Sequence, residues 1–460
     1  MCAIFRGLRR VVDLAPWCVQ KCLELVYLLQ IDRDYEYTSL STMIPHAPTF
    51  PPELCDMVID YLYDNESALE ACSLVCRAWL QSTRYHLFHT VRTRESIEGR
   101  GASNLSRILS KRHAKGILPN IHELRILASD SAARTELRPP IYSPKVSTQD
   151  VVRLISQLPR LQTVEICGVV LDGRYCNRGK SVTPISLDTL RLDRICCRNN
   201  LVDDLLSILR PFSDIQHLEV KTIKSSYWYL EESETRVEET LNKVSQVLPP
   251  HLRVQTLVVR NCTLGCLLLC DIMRKTPSVQ TLQRLDLRIE CLGDITALGA
   301  LIKATGANFR TLCLDISSLN WSADVFDWKK LNLTDCPSLE AIHGMYVGPK
   351  FFHNTSTSYL NLLCTVNPSS LSLLTFRFRV NNSLSDLKAV DWKRMEMVLS
   401  RFRKLEMVGL CVQDNRIPPQ NEMVECWQLL KRLLPGRGQR GVLNFQYSSP
   451  VVATDHWVPL

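Results

Sequence analysis

The sequence predicts an α/β fold in which a short all-helical module precedes a long solenoid of parallel strands and helices. Three observations predict it. Residues 46–92 hold short helical stripes behind a proline pair, a leucine-containing strand phrase recurs beyond residue 115, and leucine-rich helical stretches lie between its recurrences. We therefore divide the chain into an N-terminal extension at 1–45, the helical module at 46–92 and the repeats at 93–460. A length of 460 residues suits two to three domains.

The composition argues against several classes of function. Hydrophobic residues make up 45% of the chain, which is ordinary for a folded protein with a large core. Glycine is scarce at 17 residues, and the GxxxxGK motif does not occur, so a phosphate-binding loop is not expected. The 19 cysteines are odd in number and scattered through apolar stretches. We therefore expect buried free thiols and a cytoplasmic or nuclear location.

The N-terminal extension is predicted to contain an amphipathic helix that packs on the protein or faces a partner. The residues at helical spacing are Val19, Cys22, Leu23, Val26 and either Leu29 or Gln30. Charged residues interrupt the apolar run, so no span of about 20 uncharged residues exists to cross a membrane. Neither an unbroken apolar core nor a cleavage site of a signal peptide is clear. Membrane association remains the alternative for this helix.

The helical module begins at a proline pair, Pro51 and Pro52, which suits a helix entrance. Four apolar residues then follow on one helix face: Leu54, Val58, Tyr61 and Leu62. Ser67 to Glu70 matches the S-x-x-E capping box and predicts the start of a second helix. Its apolar stripe runs through Leu69, Cys72, Val75, Cys76, Trp79 and Leu80. So short a unit buries little apolar surface alone, so we expect it to pack against the rest of its chain or another protein.

These residues, in this order, resemble an F-box, whose pattern is roughly L-P-x-E-L, then two apolar helix positions, then L-x-x-V-C-[RK]-x-W. The chain departs from it at Phe50, where the family usually has Leu. The resemblance implies docking on the adaptor Skp1, which links the module to a cullin and a RING ubiquitin ligase. It assigns the contact with Skp1 to Phe50, Pro51, Pro52, Glu53, Leu54, Val58, Leu62 and Val75. It assigns the module's own core to Leu69, Leu74, Cys76 and Trp79. The alternative is that all of them form the core of a small helical bundle.

The long remainder repeats an L-x-L strand phrase, as in HELRIL from His122, QTVEIC from Gln162 and DTLRLD from Asp188. The first apolar residues of successive phrases lie mostly 26 to 28 positions apart, with longer steps of 39 and 35 that we interpret as insertions. Leu312 to Leu339 is taken as one step of 27. One strand and one helix per unit at this period is typical of a leucine-rich-repeat solenoid. The alternative is a doubly wound α/β domain, which usually has a glycine-rich turn.

We predict a non-catalytic protein without a metal or cofactor. No GxSxG, HExxH or CxxC motif occurs. The spacing of four between Cys262, Cys266 and Cys270 fits one apolar helix face better than a zinc site.

The charges and the repeats together predict the partners. Residues 46–93 carry a net charge of −3, and the residues beyond them carry +11, without a run of five Lys or Arg. Nucleic-acid binding is therefore not expected. An unknown protein substrate is predicted to contact exposed polar strand positions: Glu165, Arg191, Glu219, Arg288, Asp315 and Arg377.

Irregular arrays of this kind follow the F-box in many fungal proteins, and the whole chain resembles one of those. The resemblance implies a substrate-recognition subunit of a Skp1-cullin-F-box ubiquitin ligase. It would bind Skp1 through the F-box and its target through the repeats. Two alternatives stay open: an interaction scaffold outside a ligase, and a nucleic-acid-associated repeat protein.

Overall fold

The structure is a computed structural model, and it describes residues 51–95, 100–128, 143–173, 184–198, 201–225, 250–316, 327–346, 352–380, 390–414, 420–435 and 443–448. The predicted amphipathic helix within residues 1–45 and Phe50 lie outside these ranges. The chain forms two compact units. Of the described residues, one unit comprises those up to Thr93 with Asn104–Arg125 and Gln157–Leu161, and the other comprises those within Arg94–Ser103, within Ile126–Ser156 and from Gln162 onward.

Helices and strands alternate along most of the described chain. The helices are α1 Pro52–Tyr61, α2 Glu66–Ser73, α3 Arg77–His89, α4 Gly101–Leu109, α5 Thr148–Ser156, α6 Leu201–Leu209, α7 Thr263–Lys275, α8 Leu292–Thr305, α9 Phe352–Cys364, α10 Trp392–Ser400 and α11 Gln420–Leu433. The strands are β1 Thr90–Glu95, β2 Glu123–Ala128, β3 Lys145–Ser147, β4 Thr163–Cys167, β5 Val170–Asp172, β6 Ile185–Cys197, β7 Phe212–Ser225, β8 Arg253–Arg260, β9 Arg284–Arg288, β10 Thr311–Asp315, β11 Ala341–Tyr346, β12 Leu373–Val380, β13 Met407–Asp414 and β14 Leu443–Ser448.

The second unit is built on a long parallel sheet. β4 pairs with β6, and from β6 to β14 each strand pairs in parallel with the next along the chain. The short strands β3 and β5 form a side branch that joins β6. The fold is therefore α/β with a long parallel sheet and many helices, an arrangement compatible with a solenoid.

One apolar residue per strand sets the register, and we call it the lead residue. The lead residues of β4 and β6 to β14 lie side by side: Val164, Leu190, Leu218, Leu257, Leu285, Leu312, Ile342, Leu374, Val408 and Leu443. They are buried, and so are the residues two positions further along β4 and β6 to β10. The predicted phrase spacing is thus confirmed for β4 to β10.

The residue predicted to lead the next strand, β11, is wrong. Leu312 pairs with Ile342 rather than with Leu339, because β11 begins at Ala341. Leu339 is fully buried, but its N–H bonds to the carbonyl of Cys336 in a turn before the strand. A core leucine on a turn looks the same in a sequence as a strand leucine. Spacing alone therefore misplaced this repeat by three residues.

The first four of these repeats share a backbone irregularity, which follows β4 and β8 and lies within the last four residues of β6 and β7. The residue four positions beyond the lead residue has a left-handed backbone in each, with φ of 74, 51, 52 and 53° at Gly168, Arg194, Thr222 and Asn261. The following residue is buried: Val169, Ile195, Ile223 and Cys262. The Ile223 N–H donates to the Cys262 sulfur at 3.3 Å. Cys262 thus satisfies a buried backbone group of the preceding repeat.

Candidate interaction surfaces

Helix α1 packs on α3 through one side. The Trp79 indole N–H donates to the Cys55 sulfur at 3.0 Å, and His86 Nε2 lies 2.7 Å from an Asp60 carboxylate oxygen. Cys55 and Ile59, on this side of α1, are buried. The helix therefore has a defined inner side and an opposite side turned away from α3.

The opposite side of α1 is apolar and largely exposed. We call it the α1 outer face and define it by Leu54, Met57, Val58 and Tyr61. The exposed fractions of Leu54, Met57 and Tyr61 are 44, 66 and 68%, and Val58 is half-buried. Five of the nine large exposed hydrophobic residues in the described ranges lie between positions 54 and 74. Apolar exposure concentrated in this way is typical of a surface that binds another protein.

The residues predicted to contact Skp1 cluster at the start of α1. Pro51 is its N-cap, and Pro52, its first residue, needs no backbone N–H there. Pro51, Pro52, Glu53 and Leu54 are exposed, whereas Val58, Leu62 and Val75 are half-buried. The described members of the predicted set are thus all at least partly accessible.

Two residues predicted for the core of the module lie outside it. Leu69 is buried and Trp79 is partly buried, but Leu74 is 82% exposed and Cys76 is exposed. The physical reason is that α2 ends at Ser73, so the helical spacing assumed for this stripe does not continue. Leu74 is the C-cap of α2, and Cys76 is the N-cap of α3.

The predicted capping box is also corrected. α2 begins two residues earlier than the S-x-x-E pattern indicates, because Asn65 rather than Ser67 is its N-cap. The Asn65 side chain accepts a hydrogen bond of 3.0 Å from the Ala68 N–H.

The polar strand residues predicted to contact a substrate all lie on one face of the sheet. Side chains alternate along a strand, so residues one before, one after and three after the lead residue lie opposite the leucines. We call this the polar face. Glu165, Arg191 and Glu219 occupy adjacent strands at the position after the lead residue. Arg288, Asp315 and Arg377 occupy the position three after it.

Ion pairs link neighbouring strands across the polar face. All six of these residues were predicted to be exposed, but five are half-buried and Glu219 is buried. Only 4% of the Glu219 side chain is exposed, because it lies between Arg191 at 3.2 Å and Lys221 at 2.8 Å. Arg288 donates to Asn261 at 2.6 Å and lies 3.9 Å from Asp315. These residues therefore act in pairs and triads rather than as isolated charges.

Sequence reasoning missed several residues of the same face. Arg260 forms an ion pair of 3.1 Å with Asp286, and Arg284 lies one strand position before the lead residue of β9. His343 lies on β11 and bonds to the Thr375 hydroxyl at 2.5 Å. Burial, together with the positive charges of Arg284 and Arg377, lowers the pKa of His343 to about 4. The register itself was the signal that could have found these residues, since it puts them beside those that were predicted.

The polar face has a depression of about 180 Å³ over β8. Its floor is formed by the short side chains of Thr256 and Val258. His217 and Glu219 on β7 form one wall, and Arg284 and Asp286 on β9 form the other. The shape follows from the register, because short residues on one strand stand between longer ones on both neighbours.

Two thiols at the sheet, those of Cys262 and Cys313, are buried and protonated. Burial raises the pKa of Cys262 to about 12, and burial followed by the charge of Asp286 raises the pKa of Cys313 to about 12. Thiols held in this state are poor nucleophiles and poor metal ligands. Within the described ranges, no group of three His, Cys, Asp or Glu residues is placed to hold a metal ion. None of the helices in those ranges is long and apolar enough to cross a membrane.

A comparison with models of known protein families finds no match for this chain, and no curated protein matches it.

Proposed function

We propose that this chain is the substrate-recognition subunit of a Skp1-cullin-F-box ubiquitin ligase. The observation that carries the proposal is the exposed apolar α1 outer face, which lies where the F-box resemblance puts the contact with Skp1. The protein itself performs no chemistry in this role. It holds a target protein near a ubiquitin-loaded enzyme, and the rate gain comes from effective concentration and orientation.

In this proposal the polar face of the sheet binds the target. Its paired charges offer directional hydrogen bonds to a partner and penalise partners whose charges do not match them. The same pairing argues against a nucleic-acid role. Glu219, Asp286 and Asp315 each lie beside basic residues of that face. Nonspecific phosphate binding depends on basic residues that are not neutralised in this way.

The test is capture of purified Skp1 by the full chain and by a Leu54→Asp variant. Leu54 is 44% exposed, so a charge there is tolerated in the free protein. In the complex it removes an apolar contact and buries a carboxylate, which costs about 2–4 kcal/mol, or roughly 30- to 1,000-fold in affinity. Val58→Asp on the same face should act in the same direction.

The matched control is Ile108→Asp on α4, where Ile108 is 50% exposed. It introduces the same charge at a similarly exposed apolar residue outside the α1 outer face. Capture should persist in this control, and thermal unfolding should show that all three variants remain folded. Equal capture by Leu54→Asp, Val58→Asp and the unmodified chain would show that Skp1 does not bind here. If the unmodified chain itself captures no Skp1, the chain is better explained as an interaction scaffold outside a ligase.

A further inference from the structure

The depression over β8 is bordered by an arginine whose charge is not neutralised. Arg284 is half-buried, and among the described residues no carboxylate lies within ion-pair distance of it. Its hydrogen-bond partner is the thiol of Cys313, which is uncharged. His343, the other titratable group close to it, is neutral above about pH 5, since its pKa is about 4. A partly desolvated guanidinium with only neutral partners favours an anion.

The acidic groups of the depression are already engaged. Glu219 lies between Arg191 and Lys221, and Asp286 is paired with Arg260 at 3.1 Å. These carboxylates therefore leave the donors of Arg284 available to a ligand.

The sign of the polar face changes along the sheet. On β4 and β6 it carries Glu165, Asp193 and a single basic residue, Arg191. On β7 to β10 it carries four basic residues and three acidic ones, which are Lys221, Arg260, Arg284, Arg288, Glu219, Asp286 and Asp315. The depression thus lies in the more basic part of the face, which complements an acidic ligand.

The size of the depression restricts the ligand further. A volume of about 180 Å³ equals roughly six waters at about 30 Å³ each. It accommodates one carboxylate or phosphate group with the carbons that carry it, but not a nucleotide cofactor. The Thr256 hydroxyl lies on the strand next to Arg284, and the His217 ring lies on the opposite wall of the depression. Both can add hydrogen bonds to such a group.

We propose that this depression is an anchor pocket for one anionic side chain, a carboxylate or a phosphorylated hydroxyl, of a peptide segment in the target protein. The inference rests on the proposed function only in assigning the peptide to a target of the ligase. The pocket itself depends on Arg284 and on the register of β7, β8 and β9.

The experiment measures binding of fluorescent nine-residue peptide pools to the full chain at fixed salt, without Skp1. The pools are random except for a central Glu, phosphoserine, Ser or Lys, and a single-stranded oligonucleotide is tested beside them. We expect the Glu or phosphoserine pool to bind at least about tenfold more tightly than the Ser pool. A preference for Glu identifies a carboxylate as the ligand, and a preference for phosphoserine identifies a phosphate.

Arg284→Met should abolish this preference, and Arg284→Lys should reduce it, because Lys lacks the two-pronged geometry of the guanidinium. Thr256 pairs with Arg284 across β8 and β9, so Thr256→Glu should place a carboxylate in the pocket and abolish the preference without removing Arg284. The control is Arg310→Met, since the Arg310 side chain is 57% exposed and pairs with Glu340 at 3.5 Å.

The proposal is overturned by equal binding of all four pools, or by an anion preference that persists in both Arg284→Met and Thr256→Glu. It is also overturned if only the oligonucleotide binds and Arg284→Met abolishes that binding. The Skp1 capture test is independent of these measurements. If the unmodified chain captures Skp1 but shows no anion preference, the pocket alone is rejected. If it shows the anion preference but captures no Skp1, the ligase role alone is rejected.

Discussion

His343 should make the second unit lose stability as the pH falls. The histidine is 5% exposed, and burial together with Arg284 and Arg377 lowers its pKa from 6.5 to about 4. The unfolded chain therefore binds this proton more readily than the folded one. The stability linked to His343 is fully present above pH 6.5 and is lost as the pH falls from 6.5 to about 4.

The magnitude follows from that shift. A difference of about 2.5 units at roughly 1.36 kcal/mol per unit gives a maximum of about 3 kcal/mol, of which about 2.5 kcal/mol is reached at pH 4.5. His343→Gln removes this dependence. The difference in unfolding free energy between the variant and the unmodified chain should therefore shift by about 2.5 kcal/mol in favour of the variant between pH 7 and pH 4.5. This shift is expected whatever the substitution costs at pH 7.

Asp294 complicates the unmodified chain because its dependence has the opposite sign. Burial raises the pKa of this carboxyl from 3.8 to about 6, so its stability is present below pH 3.8 and is lost as the pH rises through 6. Between pH 7 and 4.5 it offsets about 2 kcal/mol of the loss at His343. The pH profile of the unmodified chain alone is therefore uninformative, and the comparison between variant and unmodified chain is needed.

The assay is urea unfolding of both proteins at pH 7 and pH 4.5, followed by a signal from the sheet. His251→Gln controls for the loss of an exposed histidine. If the difference in unfolding free energy between His343→Gln and the unmodified chain is the same at both pH values within about 0.5 kcal/mol, His343 is not held neutral by its surroundings and the reasoning fails.

Three further substitutions test the packing of the repeats, with urea unfolding as the measurement. Gly299→Ala should destabilise by about 3 kcal/mol, because its Cβ would lie 1.7 Å from the backbone carbonyl oxygen of Lys330; unchanged stability would show that α8 does not pack so closely there. Thr222→Asn should stabilise by about 0.5–1 kcal/mol and Asn261→Thr should destabilise by as much, since both positions have left-handed backbones; effects of equal sign would contradict this. Tyr359→Phe should cost about 1–3 kcal/mol because the buried hydroxyl donates to a backbone carbonyl oxygen, and a cost near zero would indicate a replacement donor.

The sequence was sufficient to predict the sheet because its repeated leucines serve both periodicity and packing. Leu190, Leu218 and Leu257 stand in adjacent strands although a step of 39 residues separates the last two. An insertion in a connection does not change which residue enters the strand. The prediction was wrong at Leu339, which was assigned to a strand. This buried leucine lies on a turn before the strand.

Helix ends in the short module were harder to predict than helix faces. Leu69 was correctly placed in the core, but Leu74 was not, because α2 ends before it. Whether a helix continues depends on backbone hydrogen bonds at its end, and apolar spacing carries no information about those. The N-cap Asn65 illustrates the same difficulty, since it competes locally with a well-formed S-x-x-E pattern.

The candidate target site required knowledge of neighbours that spacing does not reveal. Glu219 and Arg284 look alike in the sequence, as charged residues beside strand leucines. In the structure, Glu219 lies between two cations, whereas the hydrogen-bond partner of Arg284 is a neutral thiol. Which of two charges is available to a ligand is thus decided by the residues on the adjoining strands.

In the proposed role, the parallel register would allow a protein of this kind to change its target while keeping its fold. Each strand pairs only with its two neighbours along the main path of the sheet, so the burial of the lead residues does not depend on the residues of the polar face. Short residues such as Thr256 and Val258 create a depression wherever they stand between longer ones. Moving one short pair to another strand would move the pocket and leave the leucines in place. Variation on the polar face therefore alters recognition at little cost in stability, which is the property that a substrate receptor requires.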